Sequence, residues 1–362
     1  MRPWPILLAV LLLLAGCITA EKTDGEHEDD EELGHPYTGP PANMTGAPIP
    51  AVPPSLPSVP VHNRTVRFLL TGDTGTQDGV QAETAVAMKA LCAQRGCDFA
   101  MFLGDNIYNN GPLLGTSDPQ FNTAFEDHYA DLSFPVYLTL GNHDGGGTGS
   151  IIITGDYEVQ YTYKQGKPSQ NWQMPGRYYN VTFGDDLVGI WSIDGDTLPL
   201  NGEPSDIKIG PAVIYDGTTQ RAWLHDTLRD SNATWKFAFG HYQYGSNGNY
   251  GRGDDAFRGA LEETLCDQAQ FYFHGHEHDM RWLLPQPECG RTSFLVSGAG
   301  AHVENRLPQN LGYPELYNYR ATSGFVWVEI IEDSMHVVFY GEHGGVPEQV
   351  FENTVTKASL GW

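Results

Sequence analysis

Basic residues are scarce in this sequence. Lys and Arg number 20 against 45 Asp and Glu, which gives the 362-residue chain a formal net charge of −25 at pH 7. Proteins that bind nucleic acid need a basic surface, because they must neutralise phosphates. We therefore expect no nucleic-acid partner. Small phosphate esters stay accessible to a site that carries its own local positive charge.

Long hydrophobic runs are absent as well. The apolar run at residues 6–14 is too short to span a bilayer. Arg2 precedes this run and Cys17 ends the tetrapeptide Leu-Ala-Gly-Cys that follows it, a pattern typical of exported lipoproteins. Cys17 would then carry the only membrane attachment, a lipid, at the cell surface or in the periplasm. The alternative is an ordinary secreted protein cleaved near Ala20.

Cysteines are few, and no two of the five have Cys-x-x-Cys spacing, which argues against a thiolate metal site. Four remain beyond Cys17, and an even number in an exported chain favours disulfides. Three pairings are open. We favour the two local pairs, Cys92 with Cys97 and Cys266 with Cys289.

Composition divides the chain into three segments. Residues 1–17 form the signal segment, 18–64 an acidic, proline-rich linker, and 65–362 one α/β domain. The linker holds nine prolines, which predicts an extended tether. His27 and His35 lie in this linker, and we expect both to be solvated rather than to bind metal. We expect the mature protein to be a monomer.

One pattern recurs five times: an apolar run of strand length, a glycine, and then Asp, Asn or His. Continuous apolar runs predict strands buried on both faces, and glycine lets the backbone turn at the strand end. Ligands bind beyond the carboxyl ends of such strands. The pattern therefore predicts polar residues gathered at one edge of a sheet. The five runs are residues 67–70, 99–103, 136–140, 235–239 and 271–273.

Other periodicities predict the surrounding elements. Apolar residues recur at helical spacing from Val80 to Leu91, which predicts a helix ending near Gly96. A second helix is predicted at residues 220–228, with His225 at its surface. Further strands are predicted at 292–296, 324–331 and 335–340, and residues 145–173 and 305–322 are predicted to be loops over the site.

The polar residues after the five runs form a set suited to metal. Asp105 has two carboxylate oxygens and can bind one ion with each. Three residues later, Tyr108 offers a phenol that binds metal only as the phenolate, a form favoured by a hard ion such as ferric iron. The set indicates a two-metal phosphoesterase. Its members are Asp73, Asp105, Tyr108, Asn142, His143, His241, His276 and His278.

In this order and at these strand ends, the set resembles the metallophosphoesterase superfamily, and within it the small, tartrate-resistant type of purple acid phosphatase. The similarity runs from about residue 66 to 340 and includes FEDHYADL, PVYLTLGNHD, LVGIWSIDGDT and FLVSGAGA. The resemblance implies a four-layer α/β/β/α sandwich with two central mixed sheets. Most of the superfamily places a histidine where this chain has Gly75, and Tyr108 supplies the replacement ligand that selects the subfamily.

The resemblance also implies the ligand sets of two ions. Asp105 belongs to both sets, and its bridging role would hold a ferric ion beside a divalent ion of iron, zinc or manganese. The ferric set is Asp73, Asp105, Tyr108 and His278. The divalent set is Asp105, Asn142, His241 and His276.

The implied activity is hydrolysis of phosphate monoesters, by attack of a metal-bound hydroxide on phosphorus. His143 would protonate or hydrogen-bond the leaving alcohol, and Asp144 is either its orienting partner or a simple turn residue. Asn106 is expected just outside the ligands. The chain departs from the family at Tyr250, where small purple acid phosphatases commonly carry a second substrate-side histidine; Tyr250 is therefore a further catalytic candidate, able to donate a hydrogen bond but a poorer acid than histidine near neutral pH. His302 is expected at the surface, and the alternative is a position near the pocket.

Two alternatives share the same ligands. One is a phosphodiesterase or nucleotidase on the same scaffold. The other is a surface metal or redox protein without hydrolysis, against which His143 argues, because a residue that is not a ligand would then have no reason to be there.

Overall fold

The computed structural model describes residues 56, 58, 59, 61, 64–145, 153–201, 208–209, 213–214 and 217–362. Cys17, His27, His35 and almost all of the linker lie outside the described residues, so the expectations about them stay predictions. Val59 is one of the few linker residues that the structure describes. Its N–H donates to the Thr182 carbonyl at 2.9 Å and its own carbonyl accepts from Gly184 at 3.0 Å, so this residue pairs with the strand that contains Thr182.

Strands and helices alternate through the first two-thirds of the described chain, and strands dominate the remainder. The helices are α1 (Gly79–Arg95), α2 (Asp127–Tyr129), α3 (Ile153–Thr162), α4 (Gly217–Asp230) and α5 (Asp255–Thr264). The strands are β1 (Thr65–Thr71), β2 (Phe99–Phe102), β3 (Val136–Leu138), β4 (Trp172–Gln173), β5 (Tyr179–Phe183), β6 (Val188–Ser192), β7 (Lys208–Ile209), β8 (Val213–Ile214), β9 (Trp235–Phe239), β10 (Phe271–His274), β11 (Met280–Leu283), β12 (Ser293–Ser297), β13 (Glu315–Tyr319), β14 (Gly324–Ile331), β15 (Ser334–His343) and β16 (Val346–Thr356).

Two large sheets organise these strands. The first has the order β16-β15-β14-β1-β2-β3-β4, and the second has the order β13-β11-β12-β10-β9-β6-β5. Each is mixed, with a parallel core (β1 to β4, and β6-β9-β10-β12) and antiparallel strands at its margins. The sequence-based expectation of one sheet edge is therefore wrong, because the five motif strands divide into β1, β2 and β3 in one sheet and β9 and β10 in the other.

The two sheets pack face to face through aromatic side chains. Phe68 of β1 lies 5.9 Å from Phe237 of β9 and 6.3 Å from Phe273 of β10, ring centre to ring centre. Tyr272 points to the opposite face, because successive residues of a strand alternate. There it joins a second apolar cluster with Leu224 of α4 and other residues of α4 and α5.

Helix α1 covers the outer face of the first sheet. Its predicted extent is confirmed, and both of its ends are capped. The Asp78 carboxylate accepts the N–H groups of Val80 and Gln81, and the Gly96 N–H donates to the Cys92 carbonyl at 2.9 Å. With helices outside both sheets, the fold is the four-layer α/β/β/α sandwich that the resemblance implied.

The two predicted loops contain regular structure, so that expectation was wrong. Helix α3 and strand β4 lie within residues 145–173, and β13 lies within 305–322. Tyr161 of α3 stacks on Phe121 with ring centres 3.8 Å apart and meets Trp172 of β4 edge-on at 5.6 Å. The Gly-, Tyr- and Asn-rich composition hid these contacts, because tertiary packing overrides weak local preference.

Both favoured disulfides are confirmed: Cys92 is bonded to Cys97, and Cys266 to Cys289. The first closes the end of α1, and the second ties the segment after α5 to the turn before β12. In the part of the chain that the structure describes, no helix combines the length and apolar character needed to cross a bilayer.

Candidate metal centre

The motif residues of the two sheets meet where the sheets are joined. The Gly72 N–H donates to the Ser297 carbonyl at 2.7 Å, and the Ser297 hydroxyl donates to the Leu70 carbonyl at 2.9 Å. These bonds hold the carboxyl ends of β1 and β12 together. The loops after β1, β2, β3, β9 and β10 therefore converge at one place, although the strands belong to different sheets.

Where the loops converge, three polar residues adopt a strained backbone conformation, whereas most of the motif glycines do not. Asp73, Asp105 and His276 have positive φ angles of 58°, 55° and 67°. Non-glycine residues in this conformation are uncommon and cluster at functional sites. Among the five motif glycines only Gly104 has a positive φ, at 87°. The others allow close approach: a Cβ on Gly141, for example, would lie 2.2 Å from Oδ1 of Asp105.

A first cluster joins a phenol, two carboxylates and an imidazole. The Tyr108 hydroxyl lies 3.1 Å from Oδ2 of Asp105 and 3.4 Å from Oδ1 of Asp73. Nε2 of His278 also lies 3.4 Å from Oδ1 of Asp73. Atoms that share one ion at about 2.0 to 2.2 Å lie about 3.0 to 3.5 Å from one another, so these separations suit a common metal ion.

A second cluster surrounds Nε2 of His241. This nitrogen lies 3.0 Å from Oδ1 of Asn142, 3.1 Å from Nδ1 of His276 and 3.3 Å from Oδ2 of Asp105. Nδ1 of His241 donates its proton to the Leu103 carbonyl at 2.8 Å, which directs Nε2 into the cluster, where a metal ion would displace the Nε2 proton and use its lone pair. Lone pairs converging from several sides repel unless a cation lies between them, so the second cluster also fits a metal ion.

Asp105 links the clusters through a single oxygen. Oδ2 faces both Tyr108 and His241, whereas Oδ1 accepts the backbone N–H of His143 at 3.0 Å. The expectation that each oxygen would serve one ion stays a prediction, although in this structure it is Oδ2 that faces both clusters. The hydrogen bond to Oδ1 holds the carboxylate in an orientation that presents Oδ2 to both clusters.

The electrostatics of the site also favour a cation. In the described part of the chain neither Asp73 nor Asp105 is paired with Lys or Arg, and both are buried. Burial opposes a charge on His241, but the Asp105 and Asp73 carboxylates outweigh it and raise the pKa of this imidazole to about 10. Donor atoms of Asp73, Asp105 and His241 lie within 4.8 Å of one another. The residues present thus fit a bound metal.

Gly75 and Tyr108 depend on each other. The Gly75 N–H donates to the Asp105 carbonyl at 3.1 Å, and its carbonyl accepts from the Tyr108 N–H at 3.2 Å. A Cβ on Gly75 would lie 2.2 Å from the Asn106 carbonyl oxygen. The loop that carries Tyr108 fills this space. A histidine at position 75 would therefore clash with the loop in its present conformation.

His143 lies beside the first cluster, but Asp144 does not orient it. The imidazole of His143 is 4.4 Å from the Tyr108 ring, and its Nδ1 is hydrogen-bonded to the Asn109 carbonyl at 2.8 Å. Asp144 instead accepts the N–H groups of Asn106, Ile107 and Gly141. Descriptions of Asp144 as an orienting partner of His143 or as a simple turn residue are therefore incomplete. This buried carboxylate connects the loop after β2 to the loop after β3.

Asn106 and Glu158 complete the support behind the ligands. The Asn106 amide donates to the Thr139 carbonyl at 2.7 Å and to the carboxylates of Asp144 and Glu158 at 3.1 Å each. Burial, followed by the charge of Asp105, raises the pKa of Asp144 to about 7, and burial raises the pKa of Glu158 well above its ordinary value. Glu158 was not predicted, because it lies on the unrecognised helix α3.

Tyr250 and His302 both pack on ligand candidates. Tyr250 stacks on His276 with ring centres 4.1 Å apart, and its hydroxyl accepts from Arg306 at 3.2 Å. His302 stacks on His278 at 5.0 Å and meets the Tyr108 ring edge-on at 5.2 Å. The expected surface position of His302 is therefore wrong. Its side chain is half-buried in the wall of the site.

Glu277, between the two histidines of the GHEH segment, is a residue that motif reading missed. Its carboxylate accepts the N–H groups of Asn249, Tyr250 and Gly251 at 2.7, 3.1 and 3.2 Å. This buried acid thereby holds the loop that places Tyr250 on His276. Strand alternation offered no signal for it, because the segment lies beyond the end of β10 at His274.

Comparisons with known proteins agree with this geometry. A model of the calcineurin-like phosphoesterase family matches residues 66–280. Tartrate-resistant acid phosphatase type 5 of Sus scrofa is 28% identical over 302 residues, which cover 77% of this chain and 84% of the relative. GAP50, the anchor in the inner membrane complex of Plasmodium, has a similar structure, with a TM-score of 0.64, 18% identity and coverage of 81% of this chain and 89% of its own.

Purple acid phosphatase PPD1 from yellow lupin seeds is similar in structure too, with a TM-score of 0.60, 13% identity and coverage of 82% of this chain and 55% of its own. At these identities the structural likenesses establish the fold alone. The family model spans more than half of the chain and contains the loops after β1, β2, β3, β9 and β10. The chain belongs to the calcineurin-like phosphoesterase family.

Proposed function

We propose that the protein is a purple acid phosphatase that hydrolyses phosphate monoesters at a dinuclear centre of one ferric and one divalent ion. The observation that carries the proposal is the position of the Tyr108 hydroxyl, 3.1 Å from the oxygen of Asp105 that both clusters share. Relatives named tartrate-resistant acid phosphatase support it further.

In this proposal the two clusters would hold the two ions, and Asp105, which belongs to both clusters, would be a ligand of each. When bound, the ions acidify water and neutralise charge on the phosphoryl oxygens. Phenolate Tyr108, Asp73 and Asp105 supply three negative charges against about five positive ones, so a dianionic ester and one hydroxide bring the site close to neutrality. The ferric ligands would be Asp73, Asp105, Tyr108 and His278, and the divalent ligands Asp105, Asn142, His241 and His276, with iron, zinc or manganese as the divalent metal.

His143 is proposed as the partner of the leaving alcohol. Its hydrogen bond to the Asn109 carbonyl engages Nδ1, so Nε2 is the ring nitrogen available to the substrate. The imidazole is buried and lies against Tyr108, which fixes its direction. Tyr250, by contrast, is proposed to position His276 rather than to transfer a proton, since a phenol is a weak acid near neutral pH.

A His143→Ala variant tests this role. We expect both ions to stay bound and turnover of an alkyl phosphate to fall by about 10² to 10⁴, the usual contribution of a general acid. Turnover of 4-nitrophenyl phosphate should fall much less, because its leaving group departs without protonation. Steady-state rates and metal content measured on the same samples give the answer. Equal losses on both esters, or none, would remove His143 from the proton transfer.

We also propose that the protein works outside the cytoplasm, anchored by a lipid at Cys17. Two disulfides support an oxidising compartment. Cys17→Ser should release the protein from membranes into the soluble fraction, as measured by fractionation and blotting of cells expressing each form. A Thr19→Ser variant serves as a matched control near the cleavage site. Membrane retention of the Cys17→Ser protein would contradict the lipid anchor.

A further inference from the structure

A pocket opens beside the second cluster, and nothing in the proposed reaction uses it. Its volume is about 330 Å³, and His276 forms part of its wall. The other side chains that matter here are Asp196, Tyr242, Gln243, Asp254 and Phe257. A cavity in contact with a candidate ligand of the centre lies within reach of the organic half of a phosphate ester bound there.

The walls of this pocket are built rigidly. The Tyr242 hydroxyl donates to Oδ1 of Asp196 at 2.5 Å, and the Tyr242 ring meets those of His276 and Phe257 at 5.2 and 5.9 Å. Asp254 accepts two backbone N–H groups as the N-cap of α5. The aromatic rings and both carboxylates are therefore held in place before any substrate arrives.

The two carboxylates in the wall of the pocket give it charge of one sign, in a lining that is otherwise largely apolar. Asp196 and Asp254 are carboxylates, and no Lys or Arg is among the described residues that line it. Gln243 is only 6% exposed, and it adds an amide to the wall, a group that can accept or donate a hydrogen bond to a polar ligand.

We propose that this pocket selects phosphate monoesters whose alcohol carries an ammonium group. The proposal rests on the proposed phosphatase function. An ammonium beside Asp196 gains an ion pair, and the faces of Tyr242 and Phe257 add cation–π attraction. The side-chain oxygen of Gln243 accepts a hydrogen bond from the same group. Esters whose alcohol carries a further carboxylate or phosphate are repelled by both acids.

Three esters of similar length test the selection. We expect kcat/KM at neutral pH to fall from 2-aminoethyl phosphate to propyl phosphate to phosphoglycolate, by roughly tenfold at each step for a partly buried charge. The three differ mainly in the charge at the end of the alcohol. An equal or reversed order in the wild-type enzyme would overturn the inference.

Variants identify which residue is responsible for the preference for the ammonium-bearing ester. Asp196→Asn keeps the shape of the side chain and should bring the ratio of kcat/KM for the aminoethyl and propyl esters to within about twofold. Asp254→Ser keeps an N-cap oxygen and should lower the ratio partially. Asp333→Asn, in the exposed turn between β14 and β15 at the other end of the sheet, is the matched control and should keep the wild-type ratio.

The outcomes distinguish a failure of the proposed substrate selection from a failure of the proposed phosphatase function. If Asp196→Asn keeps the wild-type preference, the pocket does not act through this carboxylate and the inference is wrong. If 4-nitrophenyl phosphate is hydrolysed but the three esters are not distinguished, only the selection fails. If no monoester is hydrolysed by the metal-loaded protein, the proposed function fails and the inference with it.

Discussion

An Asp105→Asn variant is expected to lose both ions and at least about 10³-fold in kcat/KM, because each ion supplies several kcal/mol of charge stabilisation. The reason lies in the orientation of the side chain. Oδ1 accepts the His143 N–H, so the asparagine oxygen would take that position and its NH₂ would replace Oδ2. An NH₂ group cannot bind metal and would instead donate to the lone pair of His241.

The experiment compares bound metal, by elemental analysis, with hydrolysis of 4-nitrophenyl phosphate. Asp98→Asn is the matched control, since the Asp98 carboxylate also accepts a backbone N–H, that of Arg67 at 2.7 Å, but at the opposite end of β2. The control should keep two ions and full turnover. Two ions in an active Asp105→Asn protein would refute the bridging role of Asp105.

Tyr108→Phe is expected to bleach the protein. A phenolate bound to ferric iron gives a charge-transfer band in the visible, and phenylalanine keeps the ring but removes the oxygen that lies 3.1 Å from Asp105. Iron content should fall as well, because a hard ligand is lost. Visible absorption and iron content, measured on one preparation, test both effects.

Tyr250→Phe is the control for this experiment. Tyr250 stacks on His276, and its hydroxyl contacts Arg306 rather than either cluster, so this variant should keep the colour. A band that survives in Tyr108→Phe would exclude Tyr108 as its origin. A colourless wild-type protein that is free of iron yet fully active would replace the ferric ion with a second divalent one.

The positions of the candidate ligands could be predicted because each follows a strand whose apolar run is visible in the sequence. Asp73, Asp105 and His241 do meet within a few ångströms. The division of their strands between two sheets could not be predicted from those runs. Strand pairing is set by contacts distant in the chain, such as that between Leu69 and Trp327, which leave no local signal.

Side-chain roles were harder to predict than positions. Asp144 follows His143 in sequence, yet its oxygens face the backbone of Asn106 and Ile107, because the turn directs neighbouring side chains differently. His302 lies against Tyr108 only because the loop after β12 crosses from the second sheet toward the first. Glu277 binds a loop some 27 residues earlier in the chain, a contact that no spacing reveals.

The most direct test of the dinuclear account measures metal content and phosphate release on the same purified wild-type protein. The account predicts two ions per chain, one of them iron, and release of phosphate from a monoester that stops when the metal is removed by chelation and returns when it is restored. Full activity with one ion or none per chain, or two bound ions without any hydrolysis, would contradict it.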